Sequence, residues 1–453
     1  MRSNLAWLAS ALLLAAACGG DDGNNPTPAV IPGGGVHDPG IDGLVNVYVI
    51  DADTDAPITG ATVRVGTLEG MTDASGLFVA KGGLSGPQTI AAKAAGYATG
   101  VYVGADGANV TLALDKSPSS TAPVPQAQIS GTIAGWDAIP SPPADHLTAA
   151  LVLYSQNKEL GARDNNLPPP PSGGAVPSNV CAKSAQGSLP CNWRVNVRVG
   201  TVAVYALMVD IDTHGTAAQD DDTTTVTGFA TAPTLTVVDG QPQSSVTLTQ
   251  LPAGSVTTAS TDFGTPPANL TQRFGLVGVD LGAAGVMRLV PLQPPMTTTV
   301  VPNLTAVSGA SYEFLADAKE DVNDGTAAES IVLRHGLTSA SSLAAGAWLP
   351  PPTGLASDRS TASFAAVTGA GAHVLEFTTS SGSGTENKAM GLVVLDGSTS
   401  VTLPTDFAPL PTGGLNFKVS AFDAGAGFDP RDFAIDDLKD TLERLSSETI
   451  KLN

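Results

Sequence analysis

Apolar and polar residues alternate in short runs along most of this chain. Ala61, Val63 and Val65 are interleaved with Thr62 and Arg64, and Trp193, Val195, Val197 and Val199 with Arg194, Asn196 and Arg198. A period of two sends one set of side chains to each face of a strand, one toward a core and the other toward water. The same reasoning predicts strands at Leu44–Val49, Leu77–Val79, Thr89–Lys93, Val110–Leu114, Ile129–Ile133, Thr148–Tyr154, Val202–Ile211, Val246–Leu251, Val286–Val290, Ala310–Leu315, Ser330–Leu333 and Ala372–Thr378. Turn chemistry separates them. Thr72-Asp73-Ala74-Ser75-Gly76 joins an Asx-turn acid to a glycine able to take positive φ. The pattern therefore predicts a mainly β protein of tandem antiparallel β-sandwich domains.

Two stretches break the alternation. Leu5 to Ala17 is apolar throughout its 13 residues except for Ser10. At the other end Asp429 is a suitable N-cap, Pro430 fits the first helical position, and Ile435, Leu438, Leu442 and Leu445 recur at helical spacing. A short C-terminal helix is expected at about 430–446. It would dock on the last sandwich or present its apolar face to a partner.

Composition sharpens this picture. With 453 residues the chain has room for about three domains at roughly 100–200 residues each. Its 50 glycines and 34 prolines, against only 14% charged residues, suit many short strands joined by turns. The 42 acidic and 21 basic residues leave a net charge of −21, which repels phosphate backbones and argues against nucleic-acid partners. The Gly-, Asp-, Asn- and Pro-rich run from Gly20 to Pro39 cannot bury enough surface to fold. The expected organisation is a signal segment at 1–17, a flexible tether at 18–42, a first sandwich at 43–116, a Ser/Pro/Ala linker, a second sandwich at 126–252, and a third β-rich unit at 254–453 ending in the helix. Between the second unit's strands, Asn157–Pro190, with its run of four prolines from Pro168, reads as a long excursion. Val-Thr-Leu recurs from Val110, Val246 and Val401, which is consistent with repeated sandwich units or with chance in a Thr-rich chain.

The N-terminal stretch has a basic residue, Arg2, then the apolar run, then Ala15-Ala16-Ala17-Cys18. The apolar run is shorter than the roughly 20 residues a transmembrane helix needs. It reads as a cleavable signal, with ordinary secretion one outcome. The stretch also resembles the bacterial lipobox, although Ala15 stands where that pattern usually has Leu. The resemblance implies that Cys18 becomes the lipidated mature N-terminus, palmitate among its acyl chains, and so the membrane contact of a cell-envelope lipoprotein. With Gly19 where the inner-membrane retention signal puts Asp, it implies the outer membrane. Cys181 and Cys191 are the remaining cysteines, which in an oxidising envelope read as one disulfide or else as two buried thiols.

Asp51, Thr54, Pro57-Ile58, Gly60-Ala61, Val63, Thr72-Asp73, Gly76, Phe78 and Gly96-Tyr97 carry a second resemblance. Over about residues 43–114 the chain resembles the carboxypeptidase regulatory-like domain, a transthyretin-like β-sandwich. That family's module accompanies enzymes, receptors and adhesins and itself implies no catalytic residue.

Candidate chemistry is sparse. His373-Val-Leu-Glu376 has the spacing of a carboxypeptidase zinc pair, but residues three apart on a strand face opposite ways and no histidine follows to complete the set. Asp262-Phe-Gly264 lacks the loops that would make it a kinase triplet. The densest acidic stretch contains Asp210, Asp212, His214, Gly215 and Asp220-Asp221-Asp222. Asp210, Asp212 and Asp221 are its candidates for a calcium ion; no other cofactor is expected. Numbered as an EF-hand loop, however, it puts His214 at an oxygen position and Asp221 where a bidentate Glu belongs. A solvated acidic loop is therefore the default reading of the stretch. The expectation is a lipid-anchored, non-catalytic binding or structural module whose ligand is an envelope protein or a glycan. The alternatives are an envelope hydrolase drawing on Glu313, Asp317, Glu320 and Asp321 as acid/base groups, or a calcium-stabilised adhesin.

Overall fold

The computed structural model describes residues 28–117, 126–155, 178–188, 190–216, 222–252, 254–292, 294, 297–322, 325–380, 386–423, 425, 428–435, 438 and 441–452. The signal segment, Cys18 and most of the expected linker lie outside these residues. The described chain is built of strands joined by turns, with three single-turn 3₁₀ segments. It divides into two compact units: residues 1–115 with 429–435, and residues 116–428 with 436–453.

The first unit is a sandwich. Its strands are β1 (Gly35–Gly40), β2 (Asp42–Asp51), β3 (Thr62–Val65), β4 (Leu68–Met71), β5 (Leu77–Ser85), β6 (Gln88–Lys93), β7 (Thr99–Ala105) and β8 (Gly107–Leu114). One layer runs β1-β8-β2-β5, with β8 and β2 parallel, and the other runs β4-β3-β6-β7. The alternation in β3 holds: Val63 and Val65 are wholly buried while Thr62 and Arg64 are half-buried. Val47, Val49, Ile90 and Val110 complete the core.

Two expectations change here. The tether ends earlier than Asp42, because Gly35–Gly40 is already a strand, antiparallel to β8, with Val36 fully buried. A single well-placed apolar residue between polar neighbours was enough once a sheet edge was on offer. The C-terminal helix expected at 430–446 gives way to strand near both of its ends. Phe433–Ala434 pairs with β1 inside the first unit, and Arg444–Leu452 is a strand of the second. Asp429 caps no helix; its carboxylate accepts the main-chain N–H of Arg431, and Asp429 bridges Asp432. Only Ile435, Leu438 and Thr441 among the described residues of that stretch are helical. Sheet pairing outweighed a weak helical period, since Ser446, Ser447 and Thr449 favour neither helix nor burial in one.

In the second unit the strands are β9 (Gln126–Ile133), β10 (His146–Tyr154), β11 (Val180–Ser184), β12 (Gly187–Ser188), β13 (Trp193–Arg198), β14 (Gly200–Val202), β15 (Val204–Asp212), β16 (Thr223–Thr231), β17 (Leu235–Val237) and β18 (Gln243–Gln250). Eight of them form one sheet in the order β12-β11-β10-β15-β16-β18-β9-β13. Part of the expected excursion is thus strand: β11 is antiparallel to β10, and Cys181 and Cys191 are disulfide-bonded. Trp193, Val195 and Val197 pack with Ile129, Ala150, Val152, Val204, Ala206 and Met208 into one core, while Arg194 and Asn196 are exposed. Gly131 lies where β9 meets β18; a Cβ there would come within 1.7 Å of the Val246 carbonyl oxygen and 2.9 Å of the Trp193 ring.

The remaining strands include β19 (Val256–Asp262), β20 (Gln272–Asp280), β21 (Val286–Leu292), β22 (Thr298–Pro302), β23 (Ser311–Lys319), β24 (Glu329–Leu337), β25 (Leu343–Ala344), β26 (Ala356–Ser357), β27 (Thr361–Ser363), β28 (Ala372–Ser380), β29 (Glu386–Val394), β30 (Ser400–Thr402), β31 (Leu415–Asp423), β32 (Phe433–Ala434, of the first unit) and β33 (Arg444–Leu452). They pair as β21-β20-β23-β24-β33-β31-β28-β29, with two three-stranded sheets beside them. The far face of β15 and β16 packs against this group: Tyr205, Leu207, Val226 and Phe229 share a core with Phe263, Val277, Leu289 and Phe314. The stretches expected as separate units at 126–252 and 254–453 therefore meet in a common core.

Candidate functional site

At one end of the β10–β15 pair the apolar face gives way to polar side chains. The antiparallel register sets His146 opposite Asp212 and Thr148 opposite Asp210. Paired residues share a face, and the period of two keeps Asp210, Asp212, His146 and Thr148 on the face that carries Met208 and Ala150 further along. Asp145 immediately precedes β10. Its carbonyl oxygen accepts both the N–H and the hydroxyl of Thr213, at 2.9 and 2.7 Å, closing this end of the pair.

The imidazole of His146 is the centre of the group. Nδ1 lies 2.7 Å from Oδ2 of Asp210, and Nε2 lies 4.0 Å from Oδ1 of Asp145. The hydrogen bond that the imidazole makes to Asp210, with the charges of Asp210, Asp212 and Asp145, raises the imidazole pKa against the smaller lowering effect of burial. Asp145, His146 and Asp212 each offer one ligand atom within 4.8 Å of the others. Beyond β15, His214 adopts φ 51° and its main-chain N–H donates to Oδ1 of Asp212 at 2.8 Å, with its Nε2 3.7 Å from the other oxygen.

Of the three calcium candidates, then, Asp210 and Asp212 stand on one strand face, and Asp221 lies outside the described residues. Asp145 and His146 belong to the same group and were missed by reading the acidic stretch alone. Their only signal in the sequence was an Asp-His pair at the start of a predicted strand.

The other candidate sets are dispersed. His373 is buried against the ring of Phe364, 4.8 Å between centroids, and burial lowers its pKa. Glu376 instead pairs with Nζ of Lys388 at 2.5 Å. Glu313 and Asp317 share a face of β23 four residues apart, about 13 Å at strand rise. Glu313 faces Nδ1 of His335 at 3.0 Å, while Asp321 accepts from Gln272 at 2.6 Å. Asp317 is pushed up to about 7 by burial and by Glu329, and Glu448 to about 7 by burial and by Glu320.

No protein-family model matches the chain, and no curated protein matches it in sequence. Among solved structures, similarity is found to the TIE protein of Bacillus anthracis, at 8% identity over 67% of this chain and 49% of that one, about half its length. The three FN1–FN3 domains of chicken CNTN1 align at 11% identity over 68% of this chain and 88% of theirs. A tetra-tandem repeat from the extending region of a large adhesion protein aligns at 12% identity over 90% and 99%. The TM-score is 0.14 in all three, too low for any of them to carry an argument about this chain. No helix among the described residues is long and apolar enough to cross a membrane.

Proposed function

We propose that this chain is a lipid-anchored cell-envelope protein, held at the outer membrane through Cys18, that serves as a non-catalytic binding or structural β-sandwich module for an envelope protein or glycan. The observation that carries the reading is the apolar run Leu5–Ala17 ending in Ala15-Ala16-Ala17-Cys18, followed by a polar, glycine-rich stretch up to the first strand. Anchoring by lipid requires more than one acyl chain, at roughly 0.8 kcal/mol per buried methylene, and a multiply acylated cysteine meets that need.

Within this reading the first unit is a carboxypeptidase regulatory-like domain. Residues of that resemblance meet one another in the sandwich, which supports it. Asp51, at the end of β2, accepts from the Tyr97 hydroxyl at 2.7 Å. Thr72 donates to the carbonyl of Ile58 at 2.6 Å and accepts the N–H of Ala61 at 2.9 Å. Asp73 accepts from the hydroxyl and N–H of Ser75 and from the N–H of Leu77, bonds that hold its carboxyl below the usual range.

Cell fractionation tests the anchor. The wild-type protein is expected in the membrane fraction, labelled by radioactive palmitate, and Cys18→Ser is expected to be soluble and unlabelled. Retention of the serine variant in membranes would overturn the reading. A hydrolase screen on peptide and glycan substrates tests the rest: activity that disappears with Glu313→Gln or Asp317→Asn would replace the module by an enzyme.

A further inference from the structure

The group around His146 differs from a solvated acidic loop in one respect: an imidazole stands at its centre, oriented by a carboxylate on one nitrogen. Histidine ligands in metal sites almost always hand their second ring nitrogen to a carboxylate or carbonyl, which sets the tautomer and leaves the other nitrogen's lone pair for the metal. Here Asp210 occupies Nδ1 at 2.7 Å, and Nε2 is turned toward Asp145 at 4.0 Å. Asp212, across the register from His146, supplies the third atom. These residues come from both ends of a 64-residue separation and are brought together by strand pairing, with Thr213 bonded twice to the Asp145 carbonyl to hold the junction closed.

We infer that Asp145, His146 and Asp212 form a binding site for a divalent transition-metal ion of the zinc class, with Asp210 as the partner that orients His146. The donor set selects the metal. Calcium takes six to eight oxygens and has little use for imidazole, whereas zinc is bound by nitrogen and carboxylate oxygen in sets of three or four. Zinc–ligand bonds of about 2.0–2.2 Å put the ligand atoms of a tetrahedral site roughly 3.3 Å apart. The three atoms lie within 4.8 Å of one another, so binding would have to draw them together by up to about 1.5 Å; side-chain exposures are 54% for Asp145, 27% for His146 and 33% for Asp212. A fourth position is left to water or to His214, whose Nε2 is 3.7 Å from Asp212. The net charge of −21 adds a general attraction for cations. The site does not depend on the lipid anchor; it stands or falls on these four residues.

The test is equilibrium binding to the full-length mature chain. Zinc is expected to bind at one ion per chain, and Co²⁺ in its place is expected to give the visible absorption of a tetrahedral nitrogen/oxygen site. His146→Ala should abolish the cobalt spectrum and weaken zinc binding at least about 100-fold. Asp212→Asn, nearly isosteric, should weaken it about 10-fold or more. Asp210→Asn should cost about 10–100-fold, the range for removal of a group that orients a histidine ligand. Circular dichroism of each variant without metal separates loss of the site from loss of the fold, and His37→Ala, on the first unit, should bind as the wild type does. Unchanged zinc affinity in both His146→Ala and Asp212→Asn would mean adventitious surface binding and overturn the site. Displacement of zinc by equimolar Ca²⁺ would overturn the assignment of metal class.

Discussion

Asp317 projects from β23 with Oδ1 enclosed and without a hydrogen-bond partner among the described residues. Burial first, and the charge of Glu329 second, push its carboxyl up to about 7, against the smaller opposing effect of Lys319. Glu448 is pushed up to about 7 by burial and by Glu320. A carboxyl whose pKa is higher folded than unfolded keeps its proton longer in the fold, so between about pH 4 and 7 the folded state binds more protons and stability falls as pH rises, levelling off above 7. These two carboxyls, with His146, whose pKa is raised, should lower the melting temperature from pH 5 to pH 8, against the opposing effect of His373, whose pKa burial lowers. Asp317→Asn removes one of the two groups. It should raise stability at pH 8 by about 1–2 kcal/mol, since partial exposure lets solvent screen the charge, and change it little at pH 4. Melting curves of both proteins across this range check the expectation, and an asparagine variant no more stable at pH 8 would show that the carboxyl is ionised at little cost. The candidate metal group shows how far residues could be read without the fold. Asp210 and Asp212 were visible because alternate acids in a row are conspicuous. His146 and Asp145 were not, since what joins them to Asp212 is the register of β10 on β15, a contact that leaves no mark within either segment.

At the level of elements, alternation was the dependable signal. Strands predicted at Thr148–Tyr154, Trp193–Val199 and Ala372–Thr378 appear as His146–Tyr154, Trp193–Arg198 and Ala372–Ser380, differing only at their ends. Prediction failed where a segment's structure is decided by a distant partner. Gly35–Gly40 has too few apolar residues to declare itself a strand, and the tail's helical spacing is real but loses to β1 and to the pairing of Arg444–Leu452 with β24 and β31. The β1 contact has a specific requirement. Gly35 takes φ 149°, and a Cβ there would lie 2.1 Å from the carbonyl oxygen of Phe433. No side chain fits between two main chains so close, and the conformation itself favours glycine. Gly35→Ala is therefore expected to detach β32 from β1, breaking the Ile435 N–H to Gly34 carbonyl bond of 2.8 Å as well. Amide hydrogen exchange would register this as lost protection at Phe433, Ala434 and Ile435, with β2 and β8 still protected. Retained protection in the tail would mean that the pairing tolerates a shift of the chain.

On the scale of the whole molecule, the boundary expected near residue 253 separates strand groups that are not independent. Along Val204–Met208 strand β15 is buried on both faces. Ala150, Val204 and Met208 look into one core, and Tyr205, Leu207, Val226 and Phe229, each less than 9% exposed, look into the other, beside Phe263, Val277 and Phe314. Removing everything after residue 252 would bare that second face. At roughly 1.5–3 kcal/mol for each large apolar side chain returned to water, four of them amount to about 10 kcal/mol, as much as a typical domain's whole stability. The disulfide offsets only part of this. Cys181 and Cys191 close a loop of sequence separation 10, for which the chain-entropy account gives about 3 kcal/mol. A fragment of residues 116–252 is accordingly expected to lack a cooperative melting transition and to bind the dye ANS, even with the disulfide formed. A fragment of residues 116–453, which retains both cores, should unfold cooperatively. The comparison isolates the shared face, because both fragments lack residues 1–115 and both keep the disulfide. A monomeric 116–252 fragment with a sharp transition would show that β15 and β16 need only one of their two cores, and would restore two separately folding domains in place of the single unit.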